Sequence, residues 1–151
     1  MDYPGGGMES MERKLTTDAL QFTDIRTCWE DIKPCIVSIL EADPFLSYRP
    51  EDVYSECVNE KAFLYTSKDG FVVLSLEEEE YSKEKTLLVW LGYTYKKGGH
   101  LWEAHKEWFD DLARSVGCTY IGARSRVKEL SSYFLQRGWE LETKVFRKKV
   151  E

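Results

Sequence analysis

The most constraining feature of the sequence is a strand–turn–helix–strand passage over residues 86–122. An apolar run, TLLVWLGYTY, leads into the basic turn KKGGH, and the amphipathic segment LWEAHKEWFDDLARSVG then precedes the apolar CTYIG. A strand that ends in paired glycines and opens a helix presents free backbone N–H groups beside the positive end of the helix dipole. Because this arrangement suits phosphate oxygens, the passage indicates a site for a phosphate-bearing ligand.

The residues before this passage predict alternating strands and helices. Residues 19–25 form a partly alternating run that is typical of a first strand. Apolar residues at helical spacing follow, and Pro34 either bends this helix or delays its start to Cys35. Proline and acidic residues at 49–52 indicate the start of a second helix. Asp-Gly at 69–70 predicts a hairpin turn between two strands, and the central strand follows.

The residues after the passage predict one more helix and a strand-like ending. Val127, Leu130 and Phe134 mark a helix that ends before Gly138, and residues 139–150 (WELETKVFRKKV) alternate well enough for one or two strands. The predicted order is therefore β-α-α-β-β-β-α-β-α-β, an α/β fold with a mixed sheet and helices on both faces. We expect a flexible leader over residues 1–14 and a single domain over residues 15–151.

Composition narrows the class of protein further. A chain of 151 residues, 42% of them hydrophobic, is the right size to bury one core. Its net charge of −6 argues against a sequence-independent nucleic-acid binder. No segment approaches the roughly 18 apolar residues of a membrane helix, and the first residues lack the apolar centre of a signal peptide. We therefore expect a cytoplasmic protein that binds neither nucleic acid nor membrane.

The cysteines and histidines do not predict a metal site. Cys28, Cys35, Cys57 and Cys118 lack the close paired spacing of metal or redox motifs, and only two histidines accompany them. Reduced thiols are the expected state in a cytoplasmic protein.

Taken together, these residues resemble the GNAT superfamily of acyl-coenzyme-A-dependent N-acetyltransferases. The family signature is a strand, a turn of the form Arg/Gln-x-x-Gly-x-Gly/Ala, a long helix ending in Gly-Cys, a strand, and a shorter helix finished by glycine and an aromatic residue. The matching passages are YKKGGHLW, SVGCTYI and YFLQRGW. The ending SRVKELSSYFLQRGWELETKVFRKKV also resembles divergent members carried by bacteriophages. The resemblance implies a GNAT-like sheet that splays at its central strand.

The resemblance also implies acetyl-CoA as the cofactor. Its pantetheine arm would pair with backbone groups of the splayed central strand, and its pyrophosphate would lie in the following turn. The implied cofactor-binding residues are Leu91, Gly92, Tyr93, Lys96, Lys97, Gly98, Gly99 and His100. Leu101 stands where the family has glycine or alanine, and its side chain crowds a close approach that a missing side chain allows.

Catalysis in this family is direct attack of an amine on the thioester. A base for the ammonium and an acid for the departing thiolate assist it. Phe134 occupies the position at which many members carry a tyrosine, so the adjacent Tyr133, rotated by about 100° on the helix, is the candidate acid. Glu77, with Glu78 beside it, is the candidate base. His105 lies on the apolar stripe of its helix, so we interpret it as a core histidine.

Two functions stay open at this point. The first is an N-acetyltransferase that acts on a small-molecule or protein amine, as a monomer or a homodimer. The second is a GNAT-like binding or structural protein with a degenerate cofactor pocket. The departures at Leu101, Phe134 and Val127 favour the second, whereas the intact strand and the paired glycines favour the first, which we expect.

Overall fold

The computed structural model describes residues 18–97, 101–125 and 128–151, with the side chain of Lys128 left out. The strands are β1 Gln21–Phe22, β2 Phe63–Thr66, β3 Gly70–Glu78, β4 Lys85–Thr94 and β5 Tyr120–Ala123. The helices are α1 Trp29–Ala42, α2 Pro50–Val58, α3 Leu101–Ser115 and α4 Lys128–Leu135, and a 3-10 turn, Ile25–Thr27, precedes α1. The predicted element order is confirmed from β1 through α4.

The sheet is mixed, as predicted. Its strand order is β1-β2-β3-β4-β5. The first four strands pair antiparallel, and β5 pairs parallel to β4. A parallel pair requires a crossover connection, which α3 supplies between β4 and β5.

The predicted Asp-Gly turn joins β2 to β3. The Ser67 N–H donates to the Gly70 carbonyl at 2.8 Å and closes this turn. A side chain on Gly70 would overlap the carbonyl oxygen of Tyr93, so this position requires glycine. The close approach presses the turn directly against the far end of β4.

Two hydrophobic clusters cover the two faces of the sheet, which confirms helices on both sides. Alternate residues of β3 divide between them, because neighbouring side chains of a strand point to opposite faces. The cluster under α1 and α2 contains Ile32, Ile36, Val53, Phe71 and Val73. The cluster under α3 contains Val72, Leu74, Leu87, Phe109 and Ala113.

A β-bulge interrupts β4 at Trp90. Val73 pairs with Leu91 and Leu74 with Val89, so Trp90 is an extra residue without a partner on β3. Val89 consequently packs against the α3 cluster, while Leu91 is buried in the α1/α2 cluster. Strict alternation would have placed both on one face, so the bulge reverses the side-chain pattern of β4 beyond this point.

The N-terminal elements differ in extent from the prediction. The first strand is limited to Gln21–Phe22, shorter than the predicted 19–25. The first helix is one continuous element that contains Pro34, rather than starting at Cys35. Proline removes a single hydrogen bond there, to the carbonyl of the exposed Glu30, which water can satisfy.

The predicted final strand or strands over residues 139–150 are wrong for this structure: the chain there is irregular. A strand forms only where a neighbour takes up its backbone hydrogen bonds, and among the described residues no strand lies on the outer side of β5. Among the residues that the structure describes, no helix is long and apolar enough to cross a membrane.

Candidate functional site

The sheet opens between β4 and β5. Pairing joins residues 86–89 of β4 to all four residues of β5. Beyond Val89, β4 continues to Thr94 while β5 ends at Ala123. Residues 90–94 therefore keep one backbone edge that β5 does not cover, and this edge begins at the bulge.

The strand residues predicted to bind the cofactor lie along this edge. Leu91 is buried, and Tyr93 is half-buried and stacked on Phe71, with ring centroids 5.8 Å apart. Gly92 lies between them and is exposed. Because their side chains face the α1/α2 cluster, Leu91 and Tyr93 can contribute only backbone groups to a ligand in the opening.

The turn after β4 is described in part. Lys96 and Lys97 are both exposed. The predicted positions Gly98, Gly99 and His100 lie outside the described residues. The next described residue, Leu101, begins α3 and is buried in the α3 cluster.

Asp69, in the β2–β3 turn, contacts both sides of the β4–α3 turn. Its carbonyl accepts the N–H of Tyr95 at 3.0 Å, and its carboxylate Oδ2 lies 3.2 Å from Nε2 of His105. The His105 side chain is only 9% exposed, as expected for a core histidine with a polar partner. Its backbone is not helical (φ −130°, ψ 21°), so α3 is kinked after its first turn.

Tyr133, the predicted acid, lies in a cluster that joins α4 to the first turn of α3. Its hydroxyl donates to Oε1 of Glu103 at 3.0 Å, and Nε of Arg137 donates to the same oxygen at 2.6 Å. The Arg137 guanidinium carbon lies 3.7 Å from the centre of the Tyr133 ring. Desolvation and the bond to Glu103 raise the pKa of the Tyr133 phenol, so the group stays protonated at neutral pH.

Phe134 contacts the start of α3 through two other aromatic rings, in tilted and edge-to-face arrangements. Its ring centroid lies 4.5 Å from that of Trp139, which in turn lies 5.0 Å from that of Trp102. Phe134 is therefore a packing residue, while its neighbour Tyr133 carries the polar contacts.

Glu77, the predicted base, forms an ion pair with Arg124. Arg124 Nη2 donates to both carboxylate oxygens at 2.8 and 2.9 Å. Both side chains are exposed. By strand alternation, Glu77 shares a face with Phe71 and Val73, which is the α1/α2 face.

The predicted acid and base each have a charged partner in the structure. Tyr133 is joined to α3 through Glu103, and Glu77 is joined to the end of β5 through Arg124. Sequence reasoning missed Asp69 as a bracing residue, together with Glu103, Arg124 and Arg137. Their partners are distant in sequence, which leaves no local signal.

Away from this opening lie a cavity and a partly buried thiol. A cavity of about 300 Å³ lies between β1 and α2, and none of the predicted site residues lines it. Beside it, burial is the main cause that raises the pKa of the Cys57 thiol to about 12. Within the described residues, no group of three or more histidine, cysteine, aspartate or glutamate side chains could hold a metal ion.

Known proteins resemble this chain in structure and not in sequence. No protein-family profile matches it, and no curated protein matches its sequence. A ribosomal-protein-alanine N-acetyltransferase from Brucella melitensis biovar Abortus is similar at a TM-score of 0.65 and 14% identity, over 87% of this chain and 99% of that one. An acetyltransferase from Trypanosoma brucei reaches a TM-score of 0.61 at 11% identity, over 87% and 98% of the two chains.

A third similar structure is an aminoglycoside acetyltransferase from an uncultured soil metagenomic sample, solved in complex with sisomicin. It matches at a TM-score of 0.60 and 10% identity, over 87% of this chain and 95% of that one. The chain therefore has the GNAT-type acetyltransferase fold.

Proposed function

We propose that this chain is an N-acetyltransferase that transfers an acetyl group from acetyl-CoA to an amine. The observation that carries the proposal is the uncovered edge of β4 over residues 90–94, which leads directly into the basic turn before α3. This opening lies in a fold shared with solved acetyltransferases.

The edge of β4 fits the pantetheine arm of the cofactor. Amide groups of that arm can pair with the backbone of Leu91, Gly92 and Tyr93 as a neighbouring strand would. Gly92 is exposed and has no side chain, so a ligand can approach the backbone closely.

The turn after β4 fits the pyrophosphate. Lys96 and Lys97 are exposed cations that can pair with phosphate oxygens. In the proposal, backbone amides of Gly98, Gly99 and His100 bind the same oxygens. Asp69 braces Tyr95 and His105 on either side of this turn, which favours a fixed geometry for an anion site.

The proposed chemistry uses one proton acceptor and one proton donor. Glu77 accepts a proton from the substrate ammonium, the free amine forms a bond to the acetyl carbon, and the carbon–sulfur bond breaks. Tyr133 then protonates the departing thiolate, and the second proton of the acylated nitrogen restores the Tyr133 phenol through solvent, which leaves a neutral amide and a free thiol. The acceptor belongs to the broad class of small-molecule or protein amines, and the net charge of −6 favours a cationic one.

Thermal unfolding with and without acetyl-CoA tests the proposal. A ligand that binds only the folded state stabilises it by about 2.7 kcal/mol at one hundred times its Kd. We expect a rise in melting temperature that saturates with acetyl-CoA concentration. An unchanged melting curve at high acetyl-CoA concentration would contradict the proposed cofactor.

Two sets of variants locate the site. Replacement of Gly99 by tyrosine should abolish the acetyl-CoA response and leave the fold intact. The double variant Lys96→Ala/Lys97→Ala should weaken the response, whereas Lys85→Ala, at the opposite end of β4, should not. A normal response from Gly99→Tyr would show that the site lies elsewhere.

A degenerate binding or structural protein is the second candidate. Leu101 is packed into the α3 cluster, and Glu103 places a carboxylate in the first turn of α3, where an anion would bind. Acetyl-CoA binding without thiol release, across a panel of amines and peptides, would favour this function over catalysis.

A further inference from the structure

Helix α3 has a kink after its first turn that its own sequence does not explain. The backbone of His105 is not helical (φ −130°, ψ 21°), although the helix continues to Ser115. Kinks in helices arise at proline, at glycine or serine pairs, at π-bulges, or where a side chain or water interrupts the backbone hydrogen bonds. The segment LWEAHKEWFDDLARS contains neither proline nor glycine. The bend therefore originates in a contact with another part of the fold.

The contact at the kink is the bond between His105 and Asp69. Nε2 of His105 lies 3.2 Å from Oδ2 of Asp69, and because an ionised carboxylate only accepts hydrogen bonds, Nε2 carries the proton and donates it. Asp69 is itself held in place. Its N–H donates to Oγ of the fully buried Ser67 at 3.1 Å, and its carbonyl accepts the N–H of Tyr95. The imidazole is therefore joined to a fixed turn of the sheet.

Burial alone does not account for the kink. The side chains of Phe109 and Ala113 are buried on the same helix, where the backbone is regular. A histidine that only filled the core could likewise keep a helical backbone. What distinguishes His105 is that its side chain, only 9% exposed, must reach a polar partner on the β2–β3 turn.

The first turn of α3, residues 101–104, is held separately from the rest of the helix. Leu101 is buried in the α3 cluster, and Glu103 accepts hydrogen bonds from Tyr133 of α4 and from Arg137. The first four N–H groups of a helix have no partner within it, so they point along the axis of its first turn. The bend at His105 therefore decides where these groups point.

We propose that His105 is a positioning residue for the phosphate-bearing end of the cofactor. Its bond to Asp69 bends α3, and the bend aligns the N–H groups and the dipole of the first turn with the pyrophosphate. The His105 side chain contacts neither the thioester nor the pantetheine arm, so it acts on cofactor affinity and not on the chemical step. The inference rests on the proposed function, because it requires acetyl-CoA as the cofactor.

The test compares acetyl-CoA with acetyl-pantetheine, which carries the thioester but no phosphate, by titration calorimetry. His105→Leu removes the bond to Asp69 and keeps an apolar side chain of similar size. It should weaken acetyl-CoA binding by about tenfold or more, the equivalent of one hydrogen bond to a charged group, and leave acetyl-pantetheine binding unchanged. His105→Gln keeps an N–H donor near the position of Nε2 and should restore most of the acetyl-CoA affinity.

The matched control is Leu112→Ala, which truncates a half-buried residue of α3 beyond the kink. It should lower the free energy of unfolding without changing the affinity for either ligand. Nuclear magnetic resonance of the unmodified chain covers the case in which His105→Leu folds poorly. The chain has two histidines, so His100→Gln identifies the imidazole signals of His105. These signals should shift with acetyl-CoA and not with acetyl-pantetheine.

Four outcomes overturn the inference and leave the proposed function intact, because the parent chain binds acetyl-CoA in each. They are equal weakening of both ligands in His105→Leu, unchanged acetyl-CoA binding in that variant, no recovery in His105→Gln, and His105 signals that do not respond to acetyl-CoA. A parent chain that does not bind acetyl-CoA overturns both the inference and the proposed function.

Discussion

The two sides of β4 are stabilised in different ways. On the β3 side, Phe71, Val72, Val73 and Leu74 are all fully buried between the two clusters. On the other side, β5 and α4 contain no buried residue among those described. The first half of the sheet is therefore complete within one chain. The second half leaves backbone edges and apolar side chains open, which is where a ligand can bind.

Matched core truncations provide the largest expected difference between the two sides. Phe71→Ala removes a fully buried ring from β3 and should lower the free energy of unfolding by about 3–5 kcal/mol. Phe134→Ala removes a half-buried ring from α4 and should lower it by about 1–2 kcal/mol. Urea denaturation of both variants measures this. Equal losses would show that the two sides are packed alike.

Matched glycine substitutions probe backbone packing on the two sides. Alanine at Gly70 meets backbone atoms of Tyr93, which cannot move away, so we expect a loss of about 3 kcal/mol. Alanine at Gly122 meets a side-chain methyl of Thr86 at 3.0 Å, which can shift, so the loss should stay below about 1 kcal/mol. A larger loss of unfolding free energy in Gly122→Ala than in Gly70→Ala would contradict the expectation that the backbone is packed more tightly at Gly70.

Local sequence patterns predicted most of the strands and helices. Alternation and the Asp-Gly signal located β2 and β3, and helical spacing located α1 through α4, because each pattern reports burial against an element nearby in the fold. The bulge at Trp90 could not be predicted in this way. It is visible only in the pairing of β3 with β4, and apolar residues on both faces of β4 hide the reversal.

The remaining misses arise from long-range partners. Residues 139–150 have the alternation of a strand, but a pattern does not say whether a neighbouring edge is within reach. The Glu77–Arg124 pair joins residues 47 apart in sequence, and Asp69 meets His105 across 36 residues. The sequence could therefore identify single candidate site residues, such as Glu77, but not the distant residues that contact them.

Removal of the Asp69 carboxylate tests whether this side chain stabilises the contact between the β2–β3 turn and the start of α3. Asp69→Ala leaves the buried His105 side chain without its polar partner, so we expect a loss of about 1–2 kcal/mol in unfolding free energy. The adjacent Lys68→Ala breaks only an exposed ion pair with Asp18 and should change stability by less than about 1 kcal/mol. Asp69→Ala should also weaken the acetyl-CoA response. Equal losses of unfolding free energy in Asp69→Ala and Lys68→Ala would show that the contact between Asp69 and His105 does not stabilise the fold.

The raised pKa of the Cys57 thiol, which lies in α2, predicts that the free energy of unfolding depends on pH in the alkaline range. Burial, with smaller contributions from Glu56 and Cys28, raises its pKa from 9.0 to about 12. A thiol that holds its proton more tightly when folded contributes stability below pH 9 that is lost as the pH rises toward 12. Unfolding free energies across this range should fall less steeply in Cys57→Ala. Parallel curves for the variant and its parent would exclude Cys57 as a source of the slope.

The smallest expected stability effect comes from the exposed Glu77–Arg124 pair, yet it carries the sharpest functional test. Glu77→Gln and Arg124→Gln each break the pair, and each should lower the unfolding free energy by less than about 1 kcal/mol. They differ in chemistry, because only the first removes the proposed proton acceptor. Loss of a general base lowers kcat by about 10²–10⁴-fold, so thiol release should fall in Glu77→Gln and persist in Arg124→Gln. If both variants lose kcat equally, the pair holds the end of β5 to β3 across β4, and Glu77 is not the base.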